Sequence, residues 1–490
     1  MLLQLHQVSV QQGQRVLFEN LDFTWNEGEH WAIIGEEGQQ LTDFLQLLLG
    51  NRSVVSGKVT RPFAQAYIDE KSRLGVVNSF RDLIAYVGQD YPFRNKSNLQ
   101  NFYYQQRFNS MDAEDTVSVE VYLKNSPKRT GVWTLPAVIQ LLHLEHLQQE
   151  SLIKLSNGES RRLAIAAALM QQPKLLLMDH PMTGLDVQTR ASFDQILKNI
   201  QAVGVHILIS TIPAEIPKSL THIAVLQNKR LEVVERESIL QISSPREDSH
   251  PSVDKEKLRN LLASTVSTKV HSLVRLEKVS VRYGEKWILK ELSWEVKPGE
   301  RWLLKGPNGA GKSTLISLLI GEHPQAYAND IVLFDRKRGT GESIWDVKKP
   351  TGFVAPELSR FFPRNQTVWK VLLSGFFDTM GLFKKPTPEQ ESKAIQWLEL
   401  LQLPTKAQLL FHQLPLAEQR MLLLARALIK SPQLLIIDEG AQGLDTGQRL
   451  RFKLFSEAIL EIASIGLIYV SHYEEDIPNG VSKTLELHPV

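Results

Sequence analysis

The chain has 490 residues, and its 42% apolar and 22% charged residues are typical of a globular protein with roughly two to four domains. The net charge of +2 gives no indication of nucleic-acid binding, and the absence of cysteine excludes disulfides, thiolate metal sites and cysteine nucleophiles. The N-terminal stretch lacks a secretory apolar region and no apolar run approaches the roughly 20 residues that span a bilayer, so we expect a cytoplasmic protein.

The first half of the chain is repeated in the second half. Residues 5–35 match residues 276–306, and both stretches predict alternating strands, a turn and a buried strand that ends in glycine. Two later pairs of stretches match as well, namely 173–186 with 432–445 and 205–211 with 466–472. We therefore predict an α/β protein built from two tandem copies of one domain.

The two domains are predicted to span residues 1–235 and 273–490. Between them, residues 236–272 are rich in serine, proline and charge, which is typical of a linker with room for one short helix. We expect this linker to be a solvated connector.

The first copy contains the stretch "WAIIGEEGQQLTDFL", residues 31–45, which has the strand, loop and helix of a phosphate-binding loop. Two substitutions break the pattern, because Leu41 stands in place of the lysine and Gln40 in place of the last glycine. Further along, Asp179 ends a buried strand and is followed by His180, where the second copy has a glutamate. The first copy therefore has the layout of a nucleotide site without its key side chains.

The second copy contains the complete pattern, "GPNGAGKST". Its glycines allow a tight turn whose N–H groups point at phosphate oxygens, and the following helix adds its positive N-terminal end. Lys312 is expected to supply a charge to the terminal phosphates, and the Ser313 hydroxyl to complete the Mg²⁺ shell. The predicted nucleotide ligands of this loop are Gly306, Pro307, Asn308, Gly309, Ala310, Gly311, Lys312, Ser313 and Thr314.

The buried strand "LLIIDEG", residues 434–440, ends in two carboxylates, which need a positive partner because buried charges are costly. Asp438 is expected to bind Mg²⁺ together with Ser313, and Glu439 to polarise the water that attacks the terminal phosphate of a nucleotide. The alternative for Asp438 is a helix cap.

Two further residues complete the predicted site of the second copy. His472 ends the next strand, "VSH", and is expected to reach the terminal phosphate, so that Lys312, Glu439 and His472 form the predicted catalytic set. Tyr283 precedes the loop and is expected to stack on adenine. The alternatives are a structural histidine and an ordinary packed tyrosine.

With the stretch "LSNGESRRLAIAAAL", residues 155–169, these motifs resemble the ATP-binding cassette (ABC) ATPases, whose signature is LSGGQ. The resemblance covers both copies and implies ATP and Mg²⁺ as ligands. It also implies that the two cassettes pair head to tail, with each ATP between the phosphate loop of one copy and the signature of the other. It adds Ser156, Asn157, Gly158 and Glu159 to the predicted nucleotide site.

The substitutions are not spread evenly over the two composite sites that this resemblance implies. Site A, which combines the loop of the second copy with the signature of the first, keeps its motifs on both sides. Site B, the reverse combination, has substitutions on both sides, at Gln12, Gln40, Leu41, His180, Thr211, Pro415 and Ala417. Independent drift would not sort the losses in this way, so we expect pairing of the cassettes within one chain and hydrolysis at site A alone.

One departure affects site A itself. The loop glutamine expected near Mg²⁺ is present in the first copy as Gln89, whereas the second copy has Pro356 with Glu357 beside it. We expect either Glu357 or water to take the place of the glutamine.

Residues 321–354 insert a basic run, "DRKRG", and the stretch "GESIWDVKK" before the next strand. This insertion resembles a group of tandem ABC ATPases named for molybdenum transport and photorepair, and molybdate is implied by that resemblance alone. The basic run is expected to be a solvated loop, with contact to an anion or nucleic acid as the alternative.

The leading hypothesis is an ATPase that hydrolyses ATP at site A and uses site B as a structural hinge. It would drive either a soluble partner or a separate membrane permease. A permease would place the protein at the inner membrane as a peripheral protein. One rival is a translation factor of the soluble tandem ABC class, although the linker here is short and of mixed charge. The other rival is a non-hydrolytic, ATP-gated scaffold or regulator.

Overall fold

The computed structural model describes residues 1–13, 15–35, 38–88, 117–152, 155, 157–182, 187–239, 253–262, 270–284, 286–356, 358–363, 365–471 and 473–490. These residues form two compact units, the first reaching residue 239 and the second beginning at residue 253. In this part of the chain, no helix has both the length and the apolarity needed to cross a bilayer.

The first unit contains nine labelled strands in its described residues, and six of them form a largely parallel sheet in the order β5-β6-β7-β3-β8-β9. The strands are β1 Leu3–Gln12, β2 Arg15–Trp25, β3 Trp31–Gly35, β4 Val54–Thr60, β5 Ile84–Val87, β6 Leu175–Asp179, β7 His206–Ser210, β8 His222–Gln227 and β9 Arg230–Val234. Strand β9 is antiparallel to β8, and β2-β1-β4 form a separate antiparallel sheet. The helices are α1 Gly38–Leu48, α2 Gln65–Arg73, α3 Val119–Asn125, α4 Leu135–Leu141, α5 Asn157–Leu169 and α6 Val187–Ala202.

The second unit repeats this plan, with a parallel sheet in the order β15-β16-β17-β12-β18 and an antiparallel sheet in the order β11-β10-β13-β14. Its strands are β10 Val274–Tyr283, β11 Lys286–Val296, β12 Arg301–Lys305, β13 Asp330–Leu333, β14 Arg336–Lys337, β15 Thr351–Val354, β16 Leu434–Asp438, β17 Gly466–Val470 and β18 Lys483–Glu486. Its helices are α7 Lys255–Leu262, α8 Lys312–Leu319, α9 Ile344–Lys348, α10 Leu358–Phe361, α11 Val368–Leu373, α12 Pro388–Leu400, α13 Leu416–Leu428 and α14 Thr446–Ile462.

Each parallel sheet separates two hydrophobic cores. In β3, Ala32 and Ile34 belong to the core formed with the helices, whereas Trp31 and Ile33 belong to the core formed with the antiparallel sheet. The central strands are therefore apolar on both faces, which explains why their sequences are continuous apolar runs rather than alternating ones. Both units are α/β domains, as the sequence predicts.

The order of the parallel strands determines where a ligand site can form. In the second unit β12 lies beside β17, and β17 lies beside β16, so the carboxyl ends of these three strands are neighbours. The phosphate-binding loop follows β12, and the paired carboxylates end β16. Ligands of open parallel sheets bind at such carboxyl ends, so the fold brings together motifs that are more than 100 residues apart.

Both ends of the segment predicted as a linker are packed against a unit. Arg236 donates hydrogen bonds to the carbonyl oxygens of Pro217 (3.0 Å) and Leu220 (2.9 Å), and Ile239 belongs to a core of the first unit. Helix α7 buries three leucines in a core of the second unit, namely Leu258, Leu261 and Leu262. The domain limits at residues 235 and 273 remain predictions.

At the opposite end of the first parallel sheet, two histidine rings accept backbone hydrogen bonds. The Ile207 N–H donates to Nδ1 of His30 (3.2 Å), and the Gly28 N–H donates to Nε2 of His206 (3.1 Å). Burial, and then the neighbouring His206 and His222, lower the pKa of His30 to about 4. A ring nitrogen can accept a hydrogen bond only when it carries no proton, which requires a neutral ring. The folded unit therefore opposes protonation of His30 and His206.

This low pKa makes a pH dependence of stability testable. The unfolded chain takes up a proton at His30 near pH 6.5 and the folded chain only near pH 4, so the free energy of unfolding should fall as the pH drops through this window. We expect His30→Asn, which keeps an acceptor for Ile207, to lose less stability between pH 7.5 and pH 5 in urea unfolding. The exposed His146→Gln is the control and should lose as much as the original chain. An equal acid loss in His30→Asn would contradict the assignment.

Candidate functional site

The phosphate-binding loop of the second unit turns at glycines with positive φ, +146° at Gly306, +82° at Gly309 and +93° at Gly311. A Cβ on Gly306 would lie 2.5 Å from the carbonyl oxygen of Leu487, and one on Gly311 would lie 2.9 Å from that of Ile288. Only glycine fits these two positions, because the clashing atoms belong to the backbone.

Lys312 begins helix α8 and is only 8% exposed. Its ammonium group donates hydrogen bonds to the carbonyl oxygens of Gly306 (2.6 Å) and Pro307 (3.1 Å), so the side chain folds back along the loop. The first turn of α8 contains no acidic residue, and Ser313 follows Lys312 directly. An ammonium group and a helix N-terminus that face the same turn fit a polyphosphate group.

The two carboxylates of the second unit lie at the end of β16, next to β17. Asp438 is the last residue of the strand, and both Asp438 and Glu439 are half-buried. Glu439 has a left-handed backbone (φ +51°), and its N–H donates to the carbonyl oxygen of Val470 (3.0 Å). The side-chain amide of Gln442 donates to the Glu439 carboxylate, so the backbone and the carboxylate of this residue each have a hydrogen-bond partner.

The segment after β17 is attached to the start of helix α14. Arg449 forms a buried ion pair with Asp476 (2.8 Å), and its guanidinium carbon lies 3.9 Å from the ring centroid of Tyr473. The Ser471 hydroxyl accepts a hydrogen bond from the Tyr473 N–H (3.1 Å). These contacts flank the predicted His472.

Four of the sequence predictions fall outside the described residues, at His472, Ser156, Glu357 and Gln89.

The signature of the first unit opens helix α5, which begins at Asn157. Gly158 is buried and Glu159 half-buried, and Arg161 donates from the same helix to the carbonyl oxygen of Gly88. The signature is thus attached to the loop that follows β5.

The corresponding helix of the second unit, α13, has Pro415 at its N-cap position, where no side-chain hydrogen bond closes the first turn. Ala417 follows in that turn, and Arg420 donates to the carbonyl oxygen of Pro356 (2.9 Å). Pro415 and Ala417 therefore lack the hydroxyl group and the side-chain-free backbone of Ser156 and Gly158, which occupy the matching positions in the sequence of the first unit.

The loop position of Lys312 is filled differently in the first unit. Leu41 is 1% exposed and belongs to the same core as Ile33 and Phe44. Its Cδ2 lies 3.2 Å from the place of a Cβ on Gly35, the residue that matches Gly306. The leucine therefore folds back over the loop as the lysine does, but it presents a methyl group where Lys312 presents a charge.

The buried carboxylate of the first unit is surrounded by hydroxyl groups. Asp179 accepts hydrogen bonds from Thr42 (2.7 Å), Tyr86 (3.2 Å) and Ser210 (2.6 Å). These donors supply the hydrogen bonds that a buried carboxylate needs, so the protein itself satisfies Asp179.

His180, which follows Asp179, is 4% exposed and has a left-handed backbone (φ +46°). Its N–H donates to the carbonyl oxygen of Ser210 (3.0 Å), as the Glu439 N–H does to Val470. Burial lowers the pKa of His180, so the ring is neutral and brings no charge to the site. The backbone of the carboxylate motif is therefore kept while its second charge is lost.

The basic run of the second unit is paired within its own unit. Arg336 lies 3.4 Å from Asp346, Lys337 3.1 Å from Asp330, and Arg338 2.9 Å from Glu342. The Arg338 and Glu342 side chains are almost fully buried. The run is exposed at Asp335, Arg336, Lys337 and Gly339, as expected of a solvated loop, whereas Arg338 departs from that expectation because it is buried with Glu342.

Tyr283 contacts a residue that the sequence does not single out. Its hydroxyl lies 2.9 Å from Nε2 of His323, which is 1% exposed and follows helix α8. The sequence does not predict the roles of His323 and Gln442, because neither lies in a recognisable motif. Their contacts with Tyr283 and Glu439 depend on how the loops pack in the folded protein. Alignment of the two copies offers one signal, because His323 of the second copy is matched by Arg52 in the first, so the two copies differ at this position.

Comparison with known proteins identifies the family of this chain. The family model described as ABC transporter matches residues 18–183 and again residues 289–442. The chain belongs to the ABC transporter ATP-binding family. Members of this family bind ATP with Mg²⁺ and, in general, hydrolyse ATP.

Relatives of this tandem ABC protein match it over nearly its whole length. The ABC transporter ATP-binding protein ModF of Escherichia coli (strain K12) is 32% identical over 481 residues, which cover 95% of this chain and 92% of the relative. An uncharacterised ABC transporter ATP-binding protein of Schizosaccharomyces pombe is 29% identical and covers 95% and 94%.

Solved structures share the tandem fold. One titled "Model of ribosome-bound archaeal Pelota and ABCE1" has a TM-score of 0.60 at 18% identity and covers 95% of this chain and 73% of the other. Another, titled "RNase-L Inhibitor", has a TM-score of 0.51 at 18% identity and covers 95% and 85%. At this identity the likeness concerns the fold alone.

The buried position of Leu41 yields a test of the first loop of this ABC protein. We expect Leu41→Ala to lower the free energy of unfolding by about 2–5 kcal/mol, because it leaves a cavity in a core. The control Leu74→Ala removes an exposed leucine of the same unit and should change stability by less than about 0.5 kcal/mol. Urea unfolding measures both. A stable Leu41→Ala protein with weakened nucleotide binding would instead make Leu41 part of a ligand site.

Proposed function

We propose that this ABC protein hydrolyses ATP at a single composite site, formed by the phosphate loop of the second unit and the signature of the first. The observation that carries the proposal is the contrast at one loop position. Lys312 places an ammonium group against the loop carbonyls, whereas Leu41 is a core residue. An ATP phosphate chain gains a charge partner in one copy and only a methyl group in the other.

In this proposal each residue of the second unit has a separate task. The loop N–H groups and Lys312 bind the phosphate oxygens and stabilise the charge that develops on them. Ser313 and Asp438 hold Mg²⁺, and the corresponding pair in the first unit, Thr42 and Asp179, are within hydrogen-bond distance (2.7 Å), so the scaffold can bring such groups together. When bound, Mg²⁺ neutralises phosphate charge and orients the nucleotide.

Glu439 acts on the attacking water. Its carboxylate accepts a hydrogen bond from the Gln442 amide, and its backbone N–H donates to Val470, so the residue is anchored at the end of β16 and its carboxylate is oriented by Gln442. A fixed carboxylate can align a water molecule and accept its proton as the bond to phosphorus forms. His472, in the segment anchored by Arg449, is proposed to contact the terminal phosphate.

Site B, which combines the loop of the first unit with the signature of the second, is proposed to be a structural hinge. Leu41 fills the position of the lysine, His180 brings no charge, and Pro415 with Ala417 alters the partner signature. None of these four side chains carries a positive charge that could stabilise a developing phosphate charge. The asymmetry makes one ATP per chain the expected stoichiometry of tight binding.

The partner that receives the work of hydrolysis is proposed from the relatives of the chain. The name of the Escherichia coli relative favours an ABC transporter role, so a separate permease, for molybdate or another substrate, is the first candidate and a soluble partner the second. Affinity purification of the Glu439→Gln chain with ATP tests both. Recovery of ribosomes instead would favour the translation-factor alternative, and recovery of no partner would favour a scaffold.

We expect Lys312→Ala to reduce the ATPase rate by more than tenfold and to weaken ATP binding, because it removes the only charged side chain bound to the loop carbonyls among the described residues. The matched variant Glu439→Gln should turn over slowly while it keeps its affinity for ATP, since the amide preserves volume but not the proton acceptor. Steady-state ATPase assays and calorimetry measure the two quantities. Equal losses of affinity would make Glu439 a binding residue.

The two signatures allow a matched test of the composite site. Gly158→Asp places a negative charge at the signature of site A and should reduce hydrolysis by more than tenfold. Ala417→Asp makes the same change at the matching position of site B and should leave the rate within about twofold. An acid in the first turn of a helix is favoured by the helix dipole, but Gly158 is buried whereas Ala417 is half-buried, so thermal unfolding must first show that both variants are folded. Equal effects of the two substitutions would refute the asymmetric pairing.

A further inference from the structure

The end of strand β10 carries the aromatic ring proposed for adenine. Tyr283 is the last residue of β10, pairs with Lys286 across a hairpin and is half-buried. A tyrosine at a hairpin tip normally rotates about its first side-chain torsion, because few neighbours surround it. Here the hydroxyl group has a partner that limits this rotation.

That partner is His323, and its tautomer follows from its neighbours. The Gln325 N–H donates to Nδ1 of His323 (3.1 Å), so this nitrogen carries no proton. Burial lowers the pKa of His323 to about 4, and the ring is therefore neutral near pH 7 with its proton on Nε2. The Nε2–H donates to the Tyr283 hydroxyl oxygen at 2.9 Å, and the ring centroids lie 6.0 Å apart.

The segment around His323 also binds the backbone of β10. The Gln325 side chain accepts from the Arg282 N–H (3.3 Å) and donates to the Arg282 carbonyl oxygen (2.8 Å). The Asn329 side chain accepts from the Ser280 N–H (2.8 Å). The strand end and the tyrosine ring are therefore attached to one short segment.

This segment follows directly on the helix that carries the phosphate-binding residues. Helix α8 begins with Lys312 and ends at Leu319, a length of about 12 Å, and the chain returns at once to His323, whose N–H donates to the carbonyl oxygen of Ser317 (3.2 Å). One end of α8 thus faces the phosphate position, and the other end holds the tyrosine. Their separation is set by a rigid element.

The first unit lacks both members of this contact. Gln12, which pairs with Arg15 as Tyr283 pairs with Lys286, is exposed at the matching hairpin. Arg52 occupies the place of His323 and forms an ion pair with Asp43 (2.6 Å) instead. The contact is present only in the copy that keeps the lysine.

We propose that His323 is a positioning residue for the nucleotide base: through its hydrogen bond to the Tyr283 hydroxyl, it holds the tyrosine ring in the orientation that stacks on adenine. The proposal rests on the proposed function, which places ATP on the loop of the second unit. Because the ring is ordered before the base arrives, binding does not have to immobilise it, and affinity for the base increases. The phosphate contacts do not depend on it.

Three variants of the full chain test this proposal, namely Tyr283→Phe, His323→Asn and the double variant. Tyr283→Phe keeps the ring and removes only the hydroxyl, whereas His323→Asn keeps an acceptor for the Gln325 N–H and removes the donor to Tyr283. We expect each single variant to raise the Kd and KM for ATP about three- to tenfold with kcat changed by less than about twofold. The double variant should be no weaker than the worse single variant, since both remove one hydrogen bond.

Inorganic tripolyphosphate serves as the probe of the phosphate loop alone. Its inhibition constant should be unchanged in all three variants and should rise in Lys312→Ala. Unchanged ATP affinity in the single variants, multiplied effects in the double variant, or a parallel loss of tripolyphosphate binding would each overturn the role of His323. Failure of the proposed function looks different, because Lys312→Ala would then leave ATP binding and hydrolysis intact.

Discussion

The turn between β12 and α8 is the constraint on which the candidate site depends. Gly306 and Gly311 approach the carbonyl oxygens of Leu487 and Ile288 so closely that a side chain at either position would collide with backbone. This close approach allows Lys312 to start the helix and fold back onto the loop carbonyls. The same helix ends beside His323 and so connects the loop proposed for phosphate with the tyrosine proposed for the base. A wider turn would separate these features.

The first unit shows that this scaffold persists without its chemistry. Its strands have the same order and its loop leads into a helix, but Leu41 fills the space over Gly35 and three hydroxyl groups surround Asp179. Each lost polar function is replaced by an apolar contact or an internal hydrogen bond, so the unit remains well packed. An ABC domain with such a filled site can still present an intact signature to a partner cassette. The difference between the filled loop of the first unit and the complete loop of the second favours one hydrolytic site per chain.

Much of the site is predictable from the sequence because its motifs are local. The loop pattern, the carboxylates that end β16 and the tandem repeat each depend on residues close together in the chain, and the structure places them on the expected strand ends and helix starts. Within the insertion at residues 321–354, the basic run is exposed as expected except at Arg338, which is buried. Its charges are paired with Asp346, Asp330 and Glu342, contacts that composition does not reveal.

The fold class, the tandem organisation and the asymmetry between Lys312 and Leu41 can be read from the amino-acid sequence alone, because glycine spacing and apolar periodicity are local patterns. The environments of the substituted residues of the first copy, and the contacts around the candidate site, are visible only in the tertiary structure. The burial of Leu41, the hydroxyl cluster around Asp179 and the contact between Tyr283 and His323 arise where segments from 31 to 137 residues apart in the chain converge. Such contacts are set by strand order and loop packing, and a single sequence carries no local pattern for them.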